Sequence, residues 1–190
     1  TSVVTLTRTP TASSSAPTSP TAAPTTRTLT PVEVTELAAD KVAPDYPFQT
    51  PSKRIACVLM GTSAGGGPPY AVRCDFTGKA QWTVPKPSGG CALDWGGDSA
   101  NLRSVGLSGD PARPHVNCIS DSVKDPAATV LAYGTGIRIG SITCESRSTG
   151  LRCLDPSGGS FEISLQALYM QCTQPGGTLR DVPAAAEPCA

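Results

Sequence analysis

The sequence predicts an all-β fold: a small disulfide-stapled antiparallel barrel or sandwich, behind a disordered Thr/Pro/Ser-rich N-terminal stalk and a short helix. Three observations predict it. Cysteines number eight, an even count, at spacings that no metal knuckle uses. From Phe48 onward the chain reads as short β-type runs broken by Gly and Pro, which at 19 each make up a fifth of the 190 residues. Hydrophobic residues amount to 38%, which suits one modest core and is too little chain for two large domains.

Residues 1–29 read as the stalk. Thr, Ser, Pro and Ala fill 25 of the first 32 positions, so the segment has little apolar surface to set against a backbone ordering cost of about 1–2 kcal/mol per residue. An extended, partly polyproline-II coil is expected. The Thr/Pro density suits O-linked sugar, whereas no Asn-x-Ser/Thr acceptor is present. Residues 30–46 read as a short helix and connector. Thr30 and Glu33 have capping-box spacing, Pro31 takes the first helical position, and Val34, Leu37, Ala38 and Lys41 share a face.

Residues 47–172 read as the β domain, with strands expected at Arg54–Met60, Tyr70–Phe76, Leu102–Leu107, His115–Ile119, Thr129–Tyr133, Ile137–Glu145, Leu151–Leu154 and Ser160–Leu165. Ser164–Cys172 follows a strand pattern but has helical spacing at Leu165, Leu168, Tyr169 and Cys172, and its type stays open. Gly134-Thr135-Gly136 reads as a β-turn between strands; the run after it is strand-like and offers no helix N-terminus to a phosphate. Residues 173–190 are expected to be a coil tail tied back by a disulfide.

The cysteines are Cys57, Cys74, Cys91, Cys118, Cys144, Cys153, Cys172 and Cys189, none closer than 9 residues to the next. Disulfides follow, and with them an oxidising, extracytoplasmic compartment. Cys144 and Cys153 lie on the two arms of a hairpin turning over Ser146–Gly150, and Cys57 and Cys74 flank the Gly/Pro-rich loop Gly61–Pro69. Neighbours in sequence occupy neighbouring strands in a meander, so the expected pairs are Cys57–Cys74, Cys91–Cys118, Cys144–Cys153 and Cys172–Cys189. The chain opens on Thr1 rather than Met, which is read as an exported or trimmed form with its signal or membrane anchor upstream.

The inventory excludes several functions. Basic and acidic residues balance at 15 each with no Lys/Arg cluster, which argues against nucleic acid. The one histidine, His115, cannot form a His pair and reads as a surface or edge residue. No Gly-x-Ser-x-Gly elbow occurs, and Gly106-Leu107-Ser108-Gly109 reads as a turn. Asp94, Asp98, Asp121, Asp125 and Asp155 are the carboxylates that could work in pairs or hold a hard cation. Asp94-Trp95-Gly96-Gly97-Asp98 lacks the alternating ligands of a calcium loop and is explained by Asx-turn chemistry. Trp82 and Trp95 read as core plugs against disulfides. No metal and no cofactor are expected. The ligand-contacting candidates are Asp94, Trp95 and Tyr133, because polar-tipped side chains beside Gly turns are both exposed and rigid.

Phe48-Gln49-Thr50-Pro51-Ser52 followed by Ile55-Ala56-Cys57, then Val72-Arg73-Cys74-Asp75, Trp82, Cys91-Ala92-Leu93-Asp94-Trp95-Gly96, Cys118-Ile119-Ser120-Asp121, Leu131-Ala132-Tyr133-Gly134, Ile142-Thr143-Cys144, Gly150-Leu151-Arg152-Cys153 and Phe161-Glu162-Ile163-Ser164 together resemble a family of unknown function. That family occurs in secreted and cell-envelope proteins of actinobacteria, often lipoproteins or single-span membrane proteins. The resemblance runs from about Phe48 to Met170. Members commonly read Pro-Ser-Gly-Asn where this chain has Pro51-Ser52-Lys53-Arg54. It implies an all-β extracytoplasmic module with six paired half-cystines, Cys172 and Cys189 being an addition, and it brings no reaction with it.

A flexible stalk in front of a disulfide-hardened domain holds a recognition surface away from an anchor. The expected function is a non-catalytic binding or structural module, tethered to the membrane or envelope through an anchor upstream of this chain, whose partner is an unknown envelope ligand or protein. A secreted protease or enzyme inhibitor presenting Gly61–Pro69 or Pro85–Gly90 is the alternative, and an envelope hydrolase the third.

Overall fold

The computed structural model describes residues 31–38, 45–61, 70–82, 103–119, 121–174 and 179–182. They belong to one unit, Pro31–Ala190; residues 1–30, where the stalk is expected, lie outside the described residues. In chain order the strands are β1 (Glu33–Glu36), β2 (Asp45–Gln49), β3 (Ile55–Gly61), β4 (Tyr70–Phe76), β5 (Arg103–Ser108), β6 (Arg113–Val116), β7 (Thr129–Val130), β8 (Thr135–Ile139), β9 (Ile142–Arg147), β10 (Gly150–Asp155), β11 (Gly159–Ile163), β12 (Leu168–Thr173) and β13 (Leu179–Val182).

Period-two alternation decides which side chains turn inward. Ile55, Cys57 and Leu59 of β3 stand opposite Phe76, Cys74 and Val72 of β4, and Val105 and Leu107 of β5 continue that inner face. Ile137 and Cys144, Cys153 and Phe161, and Phe161 and Met170 are likewise paired across β8 to β12. These rows belong to a single buried cluster, and all three phenylalanines, Phe48, Phe76 and Phe161, are at most 1% exposed. The strands form two sheets, β1-β8-β9-β10-β11-β12-β13 and β6-β5-β4-β3-β2-β7. Neither closes on itself, so of the two expected architectures the fold is the sandwich. Pairing is antiparallel except where β1 joins β8 and β2 joins β7 in parallel.

Two expected disulfides sit in that core, one in each sheet. Cys57–Cys74 and Cys144–Cys153 each join directly opposed ladder positions with Cα atoms 4.1 Å apart. Cys118 and Cys172 are also disulfide-bonded; the partners expected for them, Cys91 and Cys189, lie outside the described residues. This usage is consistent with an extracytoplasmic location.

Four elements differ from the sequence reading. The helix expected after Thr30 is instead β1, with Glu33 N bonding Gly134 O (3.3 Å) and Leu37 N bonding Arg138 O (2.7 Å). An isolated helix of a dozen residues is marginal in water, whereas the strand satisfies the open edge of β8 and lets Val34 pack onto the bare backbone of Gly136. The run Ile137–Glu145 is two strands, because Gly140-Ser141 makes a two-residue turn and Ile139 pairs with Ile142. Gly140 has φ +55°, and a Cβ there would lie 2.7 Å from the Tyr70 ring, so the turn needs glycine on both counts. The open segment before Cys172 is strand β12, and the tail expected as coil contains β13, which pairs with it.

The β2–β3 turn holds one unusual conformation. Lys53 N donates to Thr50 O (2.8 Å), and Lys53 has φ +56°, the one positive φ outside glycine among the described residues. An L side chain there costs about 1–2 kcal/mol, of which a glycine returns part as unfolded-state entropy. Lys53→Gly is therefore expected to raise stability by about 0.5–1 kcal/mol in urea unfolding; a clear loss would show that the lysine side chain makes a compensating contact.

Candidate functional site

Four turns converge at one end of the sandwich: Thr50–Arg54, the β7–β8 turn with Tyr133, the β9–β10 turn Ser148-Thr149, and the β11–β12 loop Ser164–Ala167. Between them lies a cleft of about 390 Å³ with Ile55 and Phe76 among its lining. Each turn is fixed by its own hydrogen bonds. Thr50 Oγ1 and Ser52 Oγ are 3.1 Å apart, and Ser52 Oγ accepts from Arg54 N at 3.4 Å. Arg54 O accepts from both Thr77 N (2.8 Å) and Thr77 Oγ1 (3.3 Å). The backbone of Arg54 is thus held while its guanidinium, among the described residues, forms no hydrogen bond or ion pair.

Thr135 N and Oγ1 both donate to Ala132 O, at 3.2 and 2.7 Å, closing the turn that presents Tyr133 at 46% exposure. Arg147 pairs with Gly150 across the β9–β10 ladder, which leaves Ser148 and Thr149 as an exposed two-residue turn. The Arg147 guanidinium is oriented by Glu145, whose Oε2 accepts from Nε at 3.3 Å and from the terminal NH₂ at 2.8 Å. Ser164 Oγ accepts from Gln166 N (3.2 Å) and Ala167 N (3.0 Å), folding the last loop. Trp82 braces it from below, donating from Nε1 to Ser164 O at 2.8 Å while packing edge-on against Phe76. Trp82 is therefore a core plug, as the sequence suggests.

Of the three ligand-contacting candidates, Tyr133 lines this cleft; Asp94 and Trp95 lie outside the described residues, as does Asp98. Arg54, Arg147, Ser148 and Thr149 were not singled out. Their turns are legible one at a time, but only the sheet order brings them together.

The other candidate carboxylates do structural work. Asp121 and the fully buried Asp75 share the guanidinium of Arg73: Asp75 accepts at 3.1 Å from Nε and Asp121 at 3.0 Å from NH₂. Burial alone would lower the Arg73 pKa, but these two carboxylates outweigh it and hold the guanidinium above its ordinary value. Asp75 also accepts from Val123 N at 2.9 Å, which pins the loop before β7 against β4. Asp125 caps its own turn through Ala127 N at 2.7 Å. Asp155, 2% exposed, accepts from Ser141, Ser157, Gly158 and Ala112. His115, whose Nδ1 lies 3.2 Å from Arg113 O, rests over the bare backbone of Gly106 on edge strand β6.

A second hollow of about 390 Å³ lies over the outer face of the seven-stranded sheet, lined by Val34, Arg138, Thr143, Glu145 and Leu154 among others. Its cation is already engaged: Arg138 Nε donates to Thr143 Oγ1 at 3.0 Å and lies 4.0 Å from Glu36.

No curated protein and no solved structure matches the chain. The sequence profile of the Family of unknown function (DUF6636) matches residues 30–170, well over half of the sequence and including β1, and the chain belongs to this family.

Proposed function

We propose that this domain is a binding module of the cell envelope, tethered through an anchor upstream of this chain and performing no covalent chemistry of its own, and that the cleft at the turn end of the sandwich is its ligand-contacting surface. One observation carries the proposal: four turns, each locked by its own hydrogen bonds, assemble a cleft that presents exposed hydroxyls, a half-exposed tyrosine and an arginine with an uncommitted guanidinium. Such a surface is ordered before the ligand arrives, so little conformational entropy is lost on binding. The disulfide Cys144–Cys153 adds to this by joining β9 and β10, the strands that carry the Ser148-Thr149 turn.

The test pairs a glycan and peptide array with a hydrolysis screen on glycan, ester and peptide substrates. Binding without turnover is expected, with Tyr133→Ala weakening it by about tenfold through loss of an aromatic contact. The melting temperature should stay unchanged, since Tyr133 is half-exposed. Turnover abolished by Asp94→Asn or Asp121→Asn would overturn the non-catalytic reading.

A further inference from the structure

We infer that the ligand of the cleft carries an oxyanion, a carboxylate, sulfate or phosphate group, and that Arg54 is its principal contact. The inference rests on reading the cleft as a binding surface and adds the chemical class of what it takes.

The charged side chains described in the cleft lining are Arg54 and Arg147, both cationic, and Lys53 stands beside Arg54 on the rim. The two arginines differ in state. Arg147 is held by Glu145 with both side chains largely buried, at 16% and 14% exposure, so it keeps a fixed position beside the cleft. Arg54 has no such partner, and its planar fork of donors suits the paired oxygens of a carboxylate, sulfate or phosphate group. Ser148 and Thr149 place two exposed hydroxyls on the same lining, donors that an oxyanion accepts from as readily as from water.

The backbone supplies a second, independent observation. Lys53 is held at φ +56°, where glycine would sit without cost, and it is the residue that leads the chain directly into Arg54. Strain of this kind persists where the surrounding structure imposes it, and here it falls on the rim of the cleft where two successive cations stand.

The experiment is an NMR titration of the full ¹⁵N-labelled chain with sodium acetate, inorganic phosphate, glucuronate and glucose, against sodium chloride at matched ionic strength. Acetate, phosphate or glucuronate should shift the amides of residues 52–54 and 147–150, while glucose and chloride leave them in place. A preference for acetate and glucuronate identifies a carboxylate source, and a preference for phosphate a phosphoryl one. Arg54→Gln should weaken the apparent Kd by about tenfold or more, the effect of removing one charge-assisted pair, with Arg54→Lys intermediate. Both variants keep the fold, because Thr77 bonds the Arg54 backbone rather than its side chain. Equal shifts from chloride, no shift from any oxyanion, or a Kd unchanged in Arg54→Gln would overturn the inference. Cleft shifts from glucose that ignore Arg54 would also overturn it, while leaving the binding reading intact.

Discussion

Replacing Gly158 by alanine is expected to destabilise the domain by about 3 kcal/mol or more, the upper range for forcing an atom into a packed interior. A Cβ at this position would lie 1.8 Å from the carbonyl oxygen of Ala112 and 2.5 Å from its carbonyl carbon. Both are backbone atoms and cannot rotate away. Neither side is free to retreat. Gly158 O receives Thr173 N at 3.1 Å and Gly158 N donates to Asp155 O at 3.2 Å, so moving the turn breaks its hold on β12. Ala112, 2% exposed, is tied to Asp155 Oδ2 through its own N–H at 3.0 Å. The contact joins the β5–β6 connection of one sheet to the β10–β11 turn of the other, at the end of β10 away from the cleft. Urea unfolding followed by tryptophan fluorescence measures the loss as a lower midpoint. A change below about 1 kcal/mol would show that the two turns can part without cost to the sandwich.

Where inward and outward residues alternate between clear breakers, the chain could be read. Tyr70–Phe76 is a strand over the range expected because Val72, Cys74 and Phe76 form one row that ends at a turn. The same alternation placed Cys57 opposite Cys74 and Cys144 opposite Cys153. Reading failed where the deciding partner was remote. Thr30–Lys41 satisfies a capping box and a helical stripe, yet Val32 and Val34 also alternate, and only the open edge of β8 selects the strand. In Ile137–Glu145 the β-branched residues on both sides of Gly140-Ser141 concealed a turn. β13 lies in a stretch of coil-like composition and is a strand because β12 presents an edge to it.

The cleft was legible only in part, for the same reason. Tyr133 could be singled out from its own surroundings, a tyrosine beside a glycine turn. Arg54, Arg147 and Ser148-Thr149 lie in three separate turns whose only common property is the end of the sandwich they occupy. Asp155 shows the converse: as a carboxylate next to a Pro-Ser-Gly turn it resembled a candidate for chemistry, and its five donors make it a structural tie instead.

Asp155→Asn is accordingly expected to cost about 2–4 kcal/mol at neutral pH, and the cost should shrink in acid. Oδ2 accepts from Ser141 Oγ at 2.7 Å and Ala112 N at 3.0 Å, while Oδ1 accepts from Ser157 N and Oγ, both at 2.9 Å, and from Gly158 N at 3.3 Å. An asparagine keeps one acceptor oxygen and turns an NH₂ toward the remaining donors, so buried N–H and O–H groups lose their partner. Burial by itself would raise the Asp155 pKa, but the bonds from Ser141, Ser157 and Ala112 together outweigh it and hold the carboxyl below its ordinary value. A folded-state pKa below the unfolded one means that the unfolded chain binds the proton more readily. The stabilisation is therefore fully present above the unfolded carboxylate value, about 4, and is lost as pH falls through the folded value. Unfolding free energies of the wild type and Asp155→Asn should differ most near pH 7 and converge below about pH 4. A gap that stays constant down to pH 3 would show that Asp155 contributes by shape and neutral hydrogen bonding, with no part played by its charge.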